Sequence, residues 1–305
     1  QTDQAVRRAM EQFPTVVQFS ADLTEMPAYK FKMDANSFEA QLINDFMASG
    51  QEAEQIPLQM LPHFSQAANQ STYIFFAVVV DTKKAGLKND AELTFFGRLE
   101  GEQGNTEEFL KPIKPEKQKD DQIVVGFGIP AKPDNYTIYL GVRDKDKTKH
   151  SLLKSPIEVP NFWIGDLVLS TIILSPKVEQ VKKRKDDKEP EEYNPYVFGQ
   201  LKAQPRLDKA FKSSENLNVL FQIYNAKRID GEVSLQVEYF IEAPEGMYRL
   251  NAQEIKQKLE EGLSIAGGTE VPLAPLKPGE YTFKIKVIDK NATKIIEAKT
   301  PFIVK

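Results

Sequence analysis

Two stretches of this chain repeat one another at a fixed spacing. Residues 133–159 (PDNYTIYLGVRDKDKTKHSLLKSPIEV) align without a gap with residues 278–304 (PGEYTFKIKVIDKNATKIIEAKTPFIV) at an offset of 145, with 11 identities in 27 positions. The same offset places residues 73–80 (YIFFAVVV) on residues 218–225 (NVLFQIYN). Self-similarity at a fixed offset marks a duplicated structural unit. The 305 residues therefore predict two related domains.

Apolar and polar side chains alternate along short runs in both copies. The alternation extends from Tyr136 to Val142 in the first copy, and from Val233 to Tyr239 and Tyr281 to Val287 in the second. Successive side chains of a strand point to opposite faces, so this pattern predicts strands with one buried face. Clusters of Gly, Pro, Asn and Asp separate the runs. The sequence predicts an all-β protein of two tandem immunoglobulin/fibronectin-III-like β-sandwiches.

A tyrosine follows a proline turn at the start of one strand in each copy. The segments are AKPDNY (131–136) and LKPGEY (276–281). This pattern is typical of a tyrosine corner, in which a buried tyrosine hydroxyl binds a backbone group upstream. The alternative is an ordinary half-buried tyrosine at a strand start. The residues with a predicted structural role are Tyr136 with Pro133, and Tyr281 with Pro278 and Gly279.

The remaining segments predict the domain limits. We expect a helical and irregular leader at 1–60 that packs on the first sandwich, with helices at Gln4–Gln12 and Ser37–Ala48. The first sandwich then occupies 61–159 and the second 160–305.

Two insertions are expected in the second sandwich. Residues 177–192 are highly charged without an apolar period and predict a loop. Residues 251–263 predict a helix, because Asn251 and Glu254 have capping-box spacing and an apolar stripe follows.

The predicted boundary, between residues 155 and 166, contains three large apolar side chains in a row: Phe162, Trp163 and Ile164. A flexible linker would be rich in Gly and Ser, so this one is predicted to be stiff. Trp163 is expected either to wedge between the sandwiches or to be buried wholly in one core.

Composition excludes several classes of protein. The 40 basic and 44 acidic residues give a net charge of −4, without the basic surplus of a nucleic-acid binder. There is no cysteine, which excludes disulfides, and no apolar run of the roughly 18 residues that a membrane-spanning helix needs. The chain begins at Gln1, and we expect an exported protein whose signal peptide has been removed before this residue.

Residues for catalysis are scarce. Only His63 and His150 could relay a proton, and neither lies in a nucleophile or triad motif, so no enzyme activity and no cofactor are predicted. Gly126 and Gly128 lie within an apolar strand with no helix after them. They indicate a bulge or a close backbone approach in place of a phosphate loop.

Metal sites are equally unsupported by the sequence. With only two His and no Cys, the composition does not favour a zinc site, and the spacing of an EF-hand calcium loop does not occur. Asp144, Asp146 and Asp289 are the only candidates for calcium. Lysines at 145 and 147 favour solvated turn charges over a calcium site.

The chain resembles a known bacterial arrangement. SPIEVPNFWIGDLVLSTIIL (155–174), FQIYNAKRIDGEVSLQVEY (221–239) and VPLAPLKPGEYTFKIKVIDK (271–290) are similar to the C-terminal β-sandwich region of secreted bacterial von Willebrand factor A-related proteins and of GWxTD-motif proteins. FEAQLINDFMASGQEAEQIPLQM (38–60) is similar to the segment after the A domain in the first group. Neither the DxSxS motif of an A domain nor the GWxTD motif occurs here, so the resemblance implies an exported accessory region without catalytic residues.

These observations predict a non-catalytic binding or scaffolding module of the bacterial cell envelope. Its partners would be envelope proteins, bound through sandwich loops or edge strands. A carbohydrate-binding or carbohydrate-active accessory protein is the first alternative, which the single Trp disfavours. A structural subunit of a larger envelope assembly is the second alternative, and the oligomeric state stays open.

Overall fold

The structure, a computed structural model, describes residues 19–21, 31–51, 53–67, 69–88, 90–114, 122–180, 196–198 and 201–305. Within these residues the fold is all-β, built from several mostly antiparallel sheets with two short helices. The chain forms two compact units that divide between Asn161 and Phe162. The second unit also includes β1 (Phe19–Ala21).

The first unit contains two sheets. Sheet I has the order β3-β4-β7 and sheet II the order β2-β9-β8-β5-β6. The strands are β2 (Ala53–Glu54), β3 (Leu58–Gln66), β4 (Thr72–Asp81), β5 (Leu93–Gly101), β6 (Thr106–Ile113), β7 (Gln122–Ala131), β8 (Asp134–Asp144) and β9 (His150–Val159).

The inward faces of sheets I and II share one hydrophobic core. Phe76 and Phe127 of sheet I lie with ring centroids 5.5 Å apart, and Phe95 of sheet II lies 5.5 Å from Phe127. The alternation of the strands places these rings on one side of each sheet, so the two sheets face one another across the core.

Helix α1 (Phe38–Ser49) covers part of the outer face of sheet II. The hydroxyl of Ser37 caps it by accepting from the Ala40 N–H at 3.1 Å. Its apolar side packs with Phe96, Tyr139 and Leu152 of the sheet. The predicted helix at Ser37–Ala48 corresponds to α1, whereas the predicted helix at Gln4–Gln12 lies outside the described residues. The other helix, α2 (Thr82–Ala85), is a single turn; within the described part of the chain, no helix has the length and apolar character needed to cross a membrane.

The predicted leader at 1–60 is not one element packed on the first sandwich. β1 pairs with β20 in the second unit, because Phe19 lies opposite Ala266. At the other end, β3 already begins at Leu58 and makes a full strand of sheet I. Pairing with distant strands, which no local pattern encodes, decides both assignments.

The second unit holds three sheets. Sheet III has the order β1-β20-β16-β10 with β11 also on β16, sheet IV has the order β15-β22-β21-β17-β18 with β19 also on β17, and a small sheet has the order β12-β14-β13. The strands are β10 (Val168–Leu169), β11 (Ile173–Ser175), β12 (Val178–Gln180), β13 (Val197–Phe198), β14 (Leu201–Ala203), β15 (Ala210–Phe211), β16 (Asn216–Tyr224), β17 (Glu232–Ala243), β18 (Gly246–Arg249), β19 (Gln253–Lys258), β20 (Ser264–Pro272), β21 (Gly279–Asp289) and β22 (Lys294–Val304).

The repeated segments form hairpins with the same register. Asp134 lies opposite Val159 in the β8–β9 hairpin, and Gly279 lies opposite Val304 in the β21–β22 hairpin. The offset of 145 holds along both strands to the pairs Arg143–His150 and Ile288–Ile295. The repeated sequence is therefore a repeated strand pair.

The outer faces of these hairpins differ. In sheet II, Tyr139 and Leu152 are covered by α1. At the positions that follow from the offset of 145, sheet IV carries Lys284 and Glu297, which pair at 2.9 Å on an accessible face. Apolar residues in one copy and an ion pair in the other show that only the first copy is built to take a helix there.

The predicted helix at 251–263 is wrong, because residues Gln253–Lys258 form strand β19 along β17. Along β19, Gln253, Ile255 and Gln257 are buried or partly buried. Glu254, Lys256 and Lys258 are exposed, which is the period of a strand. The capping-box spacing is satisfied locally, but the edge of the long β17 offers backbone partners that outweigh it.

The charged loop predicted at 177–192 is also partly wrong. Its first residues, Val178–Gln180, form β12, which pairs with Leu201–Ala203. Residues 181–192 lie outside the described part of the chain.

Candidate functional site

Tyr136 and Tyr281 hold corresponding corners of the two units. Both rings are buried. The Tyr136 hydroxyl donates to the carbonyl of Lys132 at 2.9 Å, and the Tyr281 hydroxyl donates to the carbonyl of Lys277 at 2.8 Å. This is the hydrogen bond of a tyrosine corner. Burial raises the pKa of both phenols, so each keeps its donor proton at neutral pH.

The turn residues around these tyrosines have a structural place. Pro133 lies directly before β8, Pro278 directly before β21, and Gly279 is the first residue of β21. They shape the turn that brings each tyrosine back over its own upstream carbonyl.

At the boundary, Phe162 and not Trp163 is the buried aromatic residue. Phe162 is 1% exposed and lies 5.2 Å from the ring of Tyr224. Trp163 is 41% exposed, which contradicts its burial wholly in one core. The wedge hypothesis for Trp163 stays a prediction.

The turn aspartates are structural as well. Asp144 accepts from the backbone N–H groups of Thr148 and Lys149 at 2.8 and 3.0 Å. Asp289 accepts from Lys227, Asn291 and Ala292 at 2.7, 2.9 and 3.1 Å. Both carboxylates are buried, so the expectation of solvated charges is wrong for them. Among the described residues, no group of three His, Asp or Glu side chains could hold a metal ion.

The two histidines lie on strands. His63 lies within β3, buried and opposite Phe75. His150 is the first residue of β9, and its ring meets the edge of Phe38 with centroids 5.9 Å apart.

Gly126 and Gly128 allow the close approach that the sequence indicated. A Cβ added at Gly126 would lie 2.3 Å from Cζ of Phe75, and one at Gly128 would lie 2.4 Å from Cε1 of Tyr73. The rings of β4 thus lie across the backbone of β7, which pairs with β4 without a bulge along all ten residues.

Edge strands normally carry charges or prolines that discourage pairing with another chain. Part of β22 lies at the edge of sheet IV, because β15 pairs only with Ile303 and Val304. The N–H groups of Ile303 and Lys305 donate to the carbonyls of Lys209 and Phe211. The odd-numbered residues of β22 therefore direct their backbone N–H and C=O groups away from β21. On that side, Pro301 has no N–H group to offer and Lys299 carries a charge.

β9 has the same protection. The His150 carbonyl accepts from the Gln55 N–H on its outer side, so the even-numbered residues face this edge. Lys154 and Pro156 lie on this edge, and the offset of 145 makes them equivalent to Lys299 and Pro301 of β22.

β7 is a less protected edge, because its single proline, Pro130, is the last residue but one of the strand. It pairs with β4 on one side, and no strand within the described residues pairs with its other side. No residue from Gln122 to Ala131 is charged. Ile123 and Val125 point into the core, whereas Val124 is 47% exposed and Gly126 is also exposed. An accessible and neutral edge is rare in a native protein, because it recruits other strands.

The second unit shows how such an edge is used. Phe76 pairs with Phe127, and Phe221, which aligns with Phe76 at the offset of 145, pairs with Gly267. Phe127 and Gly267 are therefore equivalent positions of the two units, 140 residues apart. By the same difference, Val124–Gly126 of β7 are equivalent to Ser264–Ala266 of β20. Those three residues of β20 pair antiparallel with β1. The position that β1 takes on β20 is the open position on β7.

A surface groove of about 550 Å³ lies at one end of sheet IV. Its acidic lining includes Glu242 and Glu280, and Lys299 pairs with Glu242 at 2.6 Å. The large apolar groups below it, Tyr281 and Phe302, are buried in the core. The groove therefore offers a ligand fewer free polar and apolar groups than the backbone edge of β7 does.

We compared the chain with known proteins in two ways. Neither a scan against models of protein families nor a search of curated proteins finds a match for this chain.

Proposed function

We propose that this protein is a non-catalytic binding module that takes up an extended segment of another polypeptide on the edge of β7. The carrying observation is the neutral, accessible stretch Val124–Gly126, whose counterpart Ser264–Ala266 is already paired with β1. In strand addition, backbone hydrogen bonds supply affinity and side chains on alternate positions supply selectivity.

The architecture that we propose for it is two tandem immunoglobulin/fibronectin-III-like sandwiches. The shared hairpin register and the paired tyrosine hydrogen bonds support this assignment. The resemblance to secreted von Willebrand factor A-related and GWxTD-motif proteins supports a place in the bacterial cell envelope, with export of the chain.

A peptide experiment tests the binding proposal. The probe is a synthetic peptide with the sequence of residues 16–24 (VVQFSADLT), because its central Phe-Ser-Ala is the segment seen on the equivalent edge. At a protein concentration low enough to keep the chain monomeric, the peptide is expected to slow amide hydrogen exchange at residues 123–127. Slower exchange at 264–266 alone would mean that the peptide merely replaces β1.

A matched pair of variants identifies the edge. Val124→Lys places a charge on this edge strand, as Lys154 and Lys299 do on β9 and β22, and should abolish protection of residues 123–127. Val124→Thr keeps a β-branched side chain without charge and should retain it. If the peptide protects both variants equally, or protects no amide of the wild type, the binding proposal is wrong.

A further inference from the structure

The edge of β7 is compatible with a copy of itself. We propose that a second copy of this chain occupies it, with β7 antiparallel to β7 about a twofold axis at Val125, so that two copies of sheet I join into one six-stranded sheet. This inference rests on the proposed function, since it names the polypeptide that the edge takes up.

Charge supports self-pairing. A twofold antiparallel contact places the residues of one strand opposite residues of the same strand, and like charges across strands are destabilising. With the axis at Val125, residues 122–128 of the two copies lie opposite one another, and none of them is charged, so they meet without repulsion. The same neutrality gives the edge no means of selecting a charged partner.

The exposed side chains fit a register centred on Val125. In that register Val124 of one copy lies opposite Gly126 of the second copy. Gly126 has no side chain, and the ring of Phe75 lies over its backbone, so the half-exposed Val124 of the other copy would pack against that ring. Val125, which points into the core, would lie opposite its own counterpart.

The number of unpaired strand edges also favours pairing with a second copy over transfer of β1 to the β7 edge of a neighbouring molecule. If β1 moved to the β7 edge of a neighbour, the edge of β20 at Ser264–Ala266 would lose its partner. Pairing of β7 with β7 covers two open edges and leaves β1 in place. Unpaired backbone groups are costly when water is excluded, so the arrangement with fewer open edges is favoured.

The mass of the whole chain in solution tests this inference. Light scattering and sedimentation over a range of concentrations should show a monomer passing to a dimer, with slower amide exchange at residues 123–127 in the dimer. Val124→Lys should remain monomeric at the highest concentration, and Val124→Thr should dimerise like the wild type. Unchanged thermal melts will show that both variants fold.

A cross-link locates the contact. The chain contains no cysteine, so Val124→Cys introduces a single thiol. A short bismaleimide should join two copies of this variant. Met247→Cys, which also lies at an exposed position but in the second unit, should give no dimer.

The outcomes separate the two proposals. A wild type that stays monomeric, but whose residues 123–127 are protected by the peptide, overturns the second copy and leaves the binding function standing. A monomer that the peptide does not protect overturns both. Dimerisation that Val124→Lys does not weaken places the contact elsewhere and also overturns the inference.

Discussion

Single residues fix the turns of this protein through hydrogen bonds to backbone. Tyr136 and Tyr281 close the corners, and Asp144 and Asp289 hold the turns after the strands that those tyrosines open. The tyrosines could be predicted, since a proline turn before an alternating strand is a local pattern. The burial of the aspartates could not, because it depends on which backbone N–H groups converge on each carboxylate.

Removal of one hydroxyl should weaken the second unit. Tyr281→Phe leaves the Lys277 carbonyl without its donor, and we expect the free energy of unfolding to fall by about 1–3 kcal/mol. Chemical denaturation measures the change. Tyr248→Phe is the control, because the Tyr248 hydroxyl binds the exposed carboxylate of Glu245, which water can satisfy. Equal losses in both variants would argue against a special role for the corner.

Asp144 should make stability depend on acid pH. Burial alone would raise the pKa of Asp144, but hydrogen bonds from Lys149 and Thr148 outweigh it and hold the pKa below its usual range. A lowered folded-state pKa gives stability that is present above the unfolded value of about 3.9 and is lost as pH falls through the folded value.

The corresponding experiment follows the free energy of unfolding against pH. Asp144→Asn should flatten the decline on the acid side of pH 4 in the first unit. Thr148→Val, which removes the hydroxyl donor, should flatten it in part. A wild-type profile retained in Asp144→Asn would show that other carboxylates cause the decline.

At the scale of elements, pairing overrides local propensity. The segment after Asn251 satisfies the spacing of a helix start, yet it forms β19, because six residues of β17 pair with it. The edge of β7 illustrates the same point. The sequence shows that β7 lacks a charge such as Lys154 on β9 or Lys299 on β22. Only the sheet order shows that β7 is an edge strand.

A pair of alanine variants tests the strand assignment of β19. Ile255 is buried in the second core, so Ile255→Ala should cost about 2–5 kcal/mol of unfolding free energy. Lys256 is exposed and forms a surface ion pair with Glu232, so Lys256→Ala should cost at most about 1 kcal/mol. Similar costs for both would contradict the alternating burial of a strand.

At the scale of the whole molecule, the two units have separate hydrophobic cores. The core of the first unit contains Phe95 and that of the second contains Phe283, and the two clusters share no residue. Each unit is thus expected to unfold with its own stability.

Core truncation should affect one unit at a time. Phe95→Ala should speed amide exchange in strands of the first unit and leave the second unchanged, and Phe283→Ala should do the reverse. Each substitution removes a buried ring and should cost about 3–5 kcal/mol in its own unit. Exchange that accelerates in both units for either variant would show one cooperative structure.

Alternation in the sequence predicted the strands at 136–142, 233–239 and 281–287 with their buried faces, and the repeat predicted the duplicated hairpin, because both are local patterns of residues. Tertiary structure alone decided that Phe19–Ala21 joins the second unit, that Gln253–Lys258 is a strand, and that Val124–Gly126 stays open. These outcomes depend on which distant backbone groups find partners. Hydrogen bonds between strands join residues far apart in the chain, so no local pattern records them.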